Sequence, residues 1–220
     1  MKQIPYTLPS SAWQSIEIKE NNEPLVLIVE TKKLKIGWIK KHYQALFFVR
    51  KSVAEKLYKV SESLPEDLVL IVIEGYRTTE SQQEEWGRVW QTIKSQNENF
   101  SDEEIEKVVR LLVARPLPLA NHHCGGAIDV TLGYLDGRLL EMGTPYITNI
   151  PEKEILPKIP MLSDKISTEA KFHRKILREA MEKEGFVWYP GEWWHYCYGD
   201  RMWAVYSGKT ECMYGSIEKP

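Results

Sequence analysis

Two short segments, far apart in the chain, constrain its fold more than any other feature. Residues 122–129 have the sequence HHCGGAID, and residues 192–195 have the sequence EWWH. Within them, His122, Asp129 and His195 offer two imidazoles and one carboxylate. Three protein ligands of this kind and a water molecule make up the tetrahedral site of a catalytic zinc ion. The sequence therefore predicts a fold that brings both segments to one divalent metal.

The first segment has the pattern of a loop that turns into a strand. Gly125 and Gly126 permit a tight reversal of the backbone. Residues 127–132 then alternate, with apolar side chains on one face and Asp129 on the other. A carboxylate buried there without a partner would cost on the order of several kcal/mol. A metal ion is the natural partner.

An unbroken apolar run, LVLIVI at residues 68–73, predicts a strand that is buried on both faces. The run leads to Arg77, and a rigid strand end can hold such a side chain over a cleft. Arg77 then either stabilises the negative charge that develops on a tetrahedral intermediate or forms a structural ion pair with a nearby acid. The residues alone favour neither role.

The second segment is expected to lie on a hairpin. Residues 186–189 and 193–198 indicate two strands joined by a turn at residues 190–191. This places Glu192 at the mouth of the second strand and His195 within it. A carboxylate so close to a metal ligand can serve as general base and then general acid. The alternative is a residue that orients a ligand from outside the metal's own shell.

Helical patterns alternate with these strands. Ser101 is predicted to cap a helix that runs to about Ala114, with Glu104 closing a capping box. An amphipathic helix is predicted over residues 168–184. The lysine-rich residues 32–41 are expected to form a solvated loop or hairpin. We therefore predict an α+β fold, with a mainly antiparallel sheet that carries the metal site and helices packed against it.

Composition narrows the class of protein. The chain has 220 residues, of which 43% are hydrophobic and 27% charged, and its formal net charge is -2. Interspersed charges argue against nucleic acid or a membrane surface as partner, and no run approaches the roughly 18 apolar residues of a membrane span. We expect one domain over residues 1–220, with residues 1–24 as an irregular N-terminal arm. The N-terminus has no apolar signal region, which predicts a cytoplasmic protein.

Three separated motifs, in this order, resemble one enzyme family. Residues 75–77 read GYR, residues 122–129 contain H-x-x-G-x-A-x-D, and residues 192–195 supply E-x-x-H. The pattern resembles the zinc D-alanyl-D-alanine dipeptidases of the VanX type, within a wider group of D,D-peptidases, over residues 43–199. The resemblance implies the same α+β fold, a metallopeptidase domain and a small peptide as substrate. It also implies one zinc ion per chain held by His122, Asp129 and His195, with Glu192 as general base and Arg77 at the oxyanion.

Two neighbouring residues compete for the metal. His123 could replace His122, and the H-x-x-G-x-A-x-D register of the resembled family selects His122. Cys124 lies two residues from His122. A carboxylate already completes the ligand set, and thiolates more often mark closed structural sites. Cys124 is therefore not expected to bind the metal.

Two positions depart from the family pattern. The family commonly has S-x-H at the first ligand, where this chain has Ala120, Asn121 and His122. Its dipeptidases commonly carry an acid shortly after a Met-Gly pair, to meet the free amino group of the substrate, whereas residues 144–147 here read TPYI. Both changes weaken recognition of an N-terminal ammonium. Glu152, Glu154 or Asp164, elsewhere in residues 144–167, could substitute.

Three functions remain. The leading one is zinc-dependent hydrolysis of D-Ala-D-Ala or a similar D-amino-acid dipeptide, by metal-activated water with Glu192 as base. The lack of an export signal favours it, because free dipeptide is cytoplasmic. The alternative is a D,D-carboxypeptidase or peptidoglycan endopeptidase that acts on longer cell-wall peptides. The third is a zinc-stabilised binding module without turnover, against which the presence of both Glu192 and Arg77 argues.

Overall fold

The protein is described here by a computed structural model that covers residues 10–41, 43–110, 112–116, 121–146 and 154–217. Its strands are β1 (Glu17–Ile18), β2 (Leu25–Leu27), β3 (Leu34–Ile36), β4 (Phe48–Arg50), β5 (Leu68–Glu74), β6 (Ala127–Tyr134), β7 (Val187–Trp188), β8 (His195–Cys197) and β9 (Glu211–Cys212). Its α-helices are α1 (Ser10–Gln14), α2 (Lys51–Ser63), α3 (Thr79–Gln96), α4 (Asp102–Val109), α5 (Thr168–Lys183) and α6 (Arg201–Tyr206). Short 3-10 helices lie at Asn121–Cys124 and Leu156–Lys158.

The main sheet holds the candidate site. Within the described ranges it has five strands in the order β3-β5-β6-β8-β7. β3 runs parallel to β5, and the other neighbouring pairs are antiparallel. The predicted α+β fold with a mainly antiparallel sheet is confirmed, and β3 makes the sheet mixed. β1 pairs with β9 and β2 pairs with β4 in two smaller ribbons.

The apolar face of β6 packs as its alternation predicts. Ile128 and Leu132 are fully buried in one cluster with Leu57 of α2 and Leu177 of α5. Each such side chain contributes about 1.5–3 kcal/mol by leaving water. A slip of β6 by one residue would turn this set away from the core. The burial therefore fixes the register of β6, and with it the face on which Asp129 lies.

β5 is the central buried strand that the sequence predicts. All seven of its residues are buried, including Glu74 at its end. An irregularity in the pairing between Val72 and Glu74 brings Glu74 opposite Asp129 of β6. Arg77 follows three residues after Glu74. The end of β5 thus delivers both charged residues to the site.

The expectation of a solvated loop at residues 32–41 is wrong. The stretch contains β3, and the side chains of Lys33 and Lys41 are buried. Lys33 Nζ donates to the carbonyl oxygens of Leu64 and Glu66, at 3.3 and 3.2 Å, just beyond the end of α2. An ammonium is favourable there because it lies near the negative end of the α2 dipole. The sequence contained no local signal for either burial.

The remaining expectations differ in outcome. Ser101 caps α4 and Glu104 completes the capping box, as predicted. In the segment expected to be irregular, the structure places α1 and β1, while residues 1–9 lie outside the described ranges. The prediction of a single domain stays a prediction. In the described parts of the chain, no helix is both long and apolar enough to cross a membrane.

Candidate metal centre

Three predicted ligands meet at one point. His122 comes from the 3-10 helix Asn121–Cys124, Asp129 from β6 and His195 from β8. One ligand atom from each of them lies within 4.8 Å of the others, and all three side chains are buried. Gly125, which turns the chain from the helix into β6, has a φ of 71° and so adopts the reversal that its sequence predicts. The structure therefore brings together a group of residues that could hold a metal ion.

The hydrogen bonds around the group fix which atoms face its centre. Nδ1 of His122 lies 2.7 Å from the Gly75 carbonyl oxygen, which can only accept, so Nδ1 carries the proton. Nε2 of the neutral ring then has a lone pair, and it faces Asp129 Oδ1 at 3.5 Å. His195 Nδ1 approaches the same oxygen at 2.9 Å. The lone pairs of His122 Nε2 and Asp129 Oδ1 face each other and repel unless a cation lies between them. This set of ligand atoms therefore fits a divalent metal.

Burial and mutual charge shift the pKa values of the three residues. Burial opposes ionisation of Asp129, but His122 and His195 hold the pKa of its carboxyl well below the usual range. Burial lowers the pKa of His122, and the charge of Asp129 offsets only part of that change. For His195 the hydrogen bond and charge of Asp129 outweigh burial and raise the pKa. Asp129 is therefore the ionised member around which both rings are arranged.

Glu192 lies at the start of a turn that leads into β8, which begins at His195, two residues later than predicted. Its amide donates to the carbonyl of Tyr189 at 3.3 Å, and its own carbonyl accepts from the His195 amide at 3.4 Å. Glu192 as a whole residue is half-buried. Burial of its carboxyl raises the pKa, and the charge of His195 offsets part of that rise. A carboxylate with a raised pKa is a stronger base, which suits a proton carrier beside a metal.

Arg77 is held by an acid and an amide. Its Nε lies 3.1 Å from Glu74 Oε1, and a terminal nitrogen contacts Glu74 Oε2. The other terminal nitrogen donates to Gln82 Oε1 at 2.7 Å. The structural ion pair, one of the two roles that the sequence allowed for Arg77, is thus present. The positive charge of Arg77 still reaches the site, since it acts on His122 and on Glu192.

Four further side chains at this centre were not predicted from the sequence: Glu74, Lys41, Tyr43 and Tyr146. Glu74 accepts from Lys41, from Arg77 and, at 2.6 Å, from the Tyr43 hydroxyl. Tyr146 donates to Asp129 Oδ2 at 2.8 Å. A charged residue that ends a doubly buried strand was the available signal for Glu74. No local pattern marks Lys41 or Tyr43, which reach the site only through tertiary packing.

The two competing residues have other partners. The ring nitrogens of His123 lie 2.6 Å from the Arg77 carbonyl oxygen and 3.0 Å from the Pro116 carbonyl oxygen. Cys124 Sγ contacts the Asn121 carbonyl oxygen at 2.9 Å. Neither residue belongs to the ligand group found among the described residues. Both side chains are used in holding the loop that carries His122.

A thiol completes the surroundings of His195. Cys197 Sγ lies 3.4 Å from His195 Nε2, on the side of the ring away from Asp129. The two residues alternate with Tyr196 in β8 and therefore face the same side of the sheet. The thiol therefore contacts the imidazole of His195 on the side opposite Asp129. No local pattern in the sequence marks this cysteine.

The two departures from the family pattern have different outcomes. Ala120 lies outside the described residues. Residues 142–146 are described, and the member that reaches the site is Tyr146. Of the acids that could substitute, Glu152 also lies outside the described residues, and Glu154 and Asp164 are exposed. Within the described part of residues 144–167, those two acids therefore point to solvent rather than to the metal group.

Comparison with known proteins places the chain in a family. Residues 34–213 match the family described as Peptidase_M15, D-ala-D-ala dipeptidase. A D-alanyl-D-alanine dipeptidase of Synechocystis sp. is 33% identical over 95 residues, which cover 40% of this chain and 38% of that protein. The matched stretch thus spans well under half of the relative.

Two solved structures show a low similarity to this chain. The vancomycin resistance D,D-pentapeptidase VanY in complex with Zn(II) is 17% identical, with a TM-score of 0.48 over 90% of this chain and 96% of that one. The LD-carboxypeptidase LdcB is 18% identical, with a TM-score of 0.44 over 86% of this chain and 77% of that one. The family match itself extends from β3 to β9 and includes every candidate ligand. This chain therefore belongs to the D-Ala-D-Ala dipeptidase family of peptidases.

Proposed function

We propose that this protein is a zinc metallopeptidase that hydrolyses D-Ala-D-Ala or a similar D-amino-acid dipeptide. Membership of the D-Ala-D-Ala dipeptidase family supports the reaction class. The name of the Synechocystis relative supports the substrate. The observation that carries the proposal is the buried group of His122, Asp129 and His195, with the carboxyl of Glu192 close enough for the charges of His195 and Asp129 to act on its pKa.

In this proposal His122, Asp129 and His195 hold one zinc ion per chain. When bound, zinc lowers the pKa of water toward about 7 and polarises the scissile carbonyl. The protein contributes the geometry. The Gly75 carbonyl orients the His122 ring, and β6 and β8 hold Asp129 and His195 side by side.

Glu192 moves the proton. Its carboxylate takes one proton from the attacking water as the water oxygen bonds to the carbonyl carbon. It then gives that proton to the departing nitrogen as the carbon–nitrogen bond breaks. The second proton of the water leaves the new carboxyl group and is taken up by the amine. The products are therefore one carboxylate and one ammonium, so atoms and charge balance.

Arg77 stabilises the carbonyl oxygen as negative charge grows on it. The described contacts use one N–H on each of its three nitrogens. Each terminal nitrogen of a guanidinium carries a second N–H, which leaves donors for a substrate oxygen. Glu74 and Gln82 hold the guanidinium in place before substrate arrives. Preorganised donors of this kind cost no reorganisation during the reaction.

A second candidate keeps the chemistry and changes the substrate. It is a D,D-carboxypeptidase or endopeptidase that acts on longer cell-wall peptides. The observation that favours it is the exposure of Glu154 and Asp164, the described acids of residues 144–167 that could have met a free amino group. An N-terminal ammonium gains nothing from acids that point to solvent, whereas an N-acylated peptide needs no such partner. Substrate length is therefore the property to test first.

The test is a substrate comparison with the zinc-loaded protein. D-Ala-D-Ala, its N-acetyl form, L-Ala-L-Ala and a muramyl pentapeptide are compared by release of alanine. A higher kcat/KM on the free D,D-dipeptide supports the dipeptidase, and a higher value on the acylated substrates supports the second candidate. Absence of D-alanine release from every substrate, by protein that carries one zinc per chain, would overturn both the dipeptidase and the D,D-carboxypeptidase. Glu192→Gln serves as the matched control, since contaminating peptidases would be unaffected by it.

A further inference from the structure

Asp129 has two carboxylate oxygens, and the structure gives them different partners. Oδ1 faces the ring nitrogens of both histidines, at 2.9 and 3.5 Å. Oδ2 accepts a hydrogen bond from the Tyr146 hydroxyl at 2.8 Å. The Tyr146 hydroxyl lies 2.8 Å from Lys41 Nζ on its other side. A continuous chain of contacts therefore leads from the metal group to a buried lysine.

The direction of this chain follows from the chemistry of its members. An ammonium can only donate, so the Tyr146 oxygen accepts from Lys41. The single proton of the hydroxyl then has to point to Asp129 Oδ2. Lys41 is itself held by an ion pair with Glu74. The hydrogen bond to Oδ2 is therefore fixed in direction and does not depend on rotation of the hydroxyl.

The tyrosine ring is held by its surroundings as well. It packs edge-on against Trp194, with ring centroids 5.1 Å apart. Two residues earlier, Thr144 Oγ1 accepts from Trp193 Nε1 at 2.9 Å, and the Met142 carbonyl accepts from Arg174 Nε at 2.7 Å. The segment that carries Tyr146 is thus tied to the residues beside His195 and to α5. The hydroxyl is placed before any metal binds.

We propose that Tyr146, oriented by Lys41, is a positioning residue that occupies Asp129 Oδ2 and leaves Oδ1 alone to bind the metal. The inference rests on the proposed function, because it assumes that Asp129 is a ligand. Outer hydrogen bonds of this kind orient metal ligands, and their loss typically lowers metal affinity by about 10–100-fold. Without the hydroxyl, Asp129 is free to rotate or to offer both oxygens.

The same contacts connect the metal group to Arg77. Lys41 and Arg77 share Glu74 as their common acceptor. The chain Asp129, Tyr146, Lys41, Glu74 therefore ends at the guanidinium proposed to meet the oxyanion. Position 146 belongs to the stretch where the sequence departs from the family's dipeptidases. The phenol of Tyr146, which orients Asp129, thus lies near the position at which those enzymes commonly carry an acid that meets the substrate.

The test compares two tyrosine variants in the full-length protein. Tyr146→Phe keeps the ring against Trp194 and removes only the hydroxyl. Tyr43→Phe is the matched control, because its hydroxyl joins the same network at Glu74 but makes no described contact with Asp129. Zinc affinity is measured by competition with a chelator, and the melting temperature of the metal-free form is measured beside it. The absorption spectrum of the Co(II)-loaded protein reports the coordination of the metal.

Tyr146→Phe is expected to weaken zinc binding by about 10–100-fold and to change the Co(II) spectrum. Tyr43→Phe is expected to leave zinc affinity within about 3-fold of the wild type, since no ligand loses its partner. Equal zinc affinity for Tyr146→Phe and wild type would overturn the positioning role while the metal site itself stands. Equal losses in both variants would also overturn it, as a general effect of the network. Failure of the wild type to bind zinc would overturn the proposed function as well, so the two failures are distinguishable.

Discussion

Asp129 and His195 lie directly opposite each other in neighbouring antiparallel strands, with Oδ1 and Nδ1 2.9 Å apart. On the other side of Asp129, the paired residue in β5 is Glu74. Three charged or ionisable residues thus form one row across the sheet. A shift of β6 by one residue would move Asp129 to the apolar face. The packing that fixes the strand register therefore also builds the metal group.

The first prediction concerns the metal ligands. His122→Ala, Asp129→Ala and His195→Ala should each abolish binding of the single zinc ion, because two remaining ligands hold zinc weakly. Metal content after gel filtration measures this. Cys124→Ser is the matched control, since its side chain contacts the Asn121 carbonyl rather than the ligand group. Full zinc content in any of the three alanine variants would remove that residue from the ligand set.

The second prediction concerns Glu192. Glu192→Gln keeps the shape of the side chain and removes its basic carboxylate. Zinc should stay bound, and kcat should fall by about 100-fold or more, the usual contribution of a positioned general base. Steady-state kinetics on zinc-loaded protein measure the change. Turnover within a few-fold of the wild type would refute the role of Glu192 as base.

The sequence predicted those parts of the fold that depend on local patterns. The apolar run of β5, the alternation in β6 and the capping box at Ser101 all appear where expected. The candidate ligands lie in strands and turns with clear local signals, and the choice of His122 over His123 came from the family resemblance. The predicted helix that follows Ser101 ends earlier than expected, at Val109. Helix ends depend on contacts that periodicity does not contain.

What the sequence could not provide is the set of residues around the ligands. Lys41 was placed in a solvated stretch, yet its side chain is 6% exposed and it shares Glu74 with Arg77. A buried lysine is stable only with partners, and these partners come from β5 and from the segment before residue 147. Contacts between residues so far apart leave no pattern in a single sequence.

The third prediction is a loss of stability in acid. Glu23 joins the N-terminal segment to α2 and the C-terminal region, because it accepts from the Ser52 amide at 2.6 Å and from the Tyr214 hydroxyl at 2.6 Å. Although burial opposes it, these hydrogen bonds lower the pKa of Glu23. A lowered folded pKa means that the stabilisation is present above the unfolded pKa and is lost as pH falls through the folded value. The melting temperature should therefore fall between about pH 5 and about pH 3.

Two variants separate the contribution of Glu23 from the general loss of stability at low pH. Glu23→Gln should melt at a lower temperature than the wild type at pH 7, and the difference should shrink as the pH falls. Glu55→Gln on the exposed side of α2 is the control, since its side chain is 57% exposed and pairs only with Lys51 among the described residues. Melting curves of the wild type and Glu23→Gln that stay parallel from pH 7 to about pH 3 would contradict the prediction.

The last prediction separates Arg77 as catalyst from Arg77 as support. Glu74 keeps two other described donors, Lys41 and Tyr43, when Arg77 is replaced. Arg77→Ala should therefore cost less stability than the roughly 3–5 kcal/mol of a buried charge left without any partner. Removal of Glu74, by contrast, leaves two buried cations without their acid. Glu74→Gln should lower the melting temperature more than Arg77→Ala does.

If the guanidinium meets the carbonyl oxygen only as charge develops, Arg77→Ala should lower kcat and kcat/KM together. The expected loss is about 2.7–4 kcal/mol, roughly 100- to 1,000-fold, as for other oxyanion donors. A rise in KM at constant kcat would show instead that Arg77 binds the substrate carboxylate in the ground state and the transition state alike. Wild-type kcat with a lower melting temperature would show that Arg77 acts only as the structural partner of Glu74. Steady-state kinetics and one melting curve on the same variant therefore decide between the three roles.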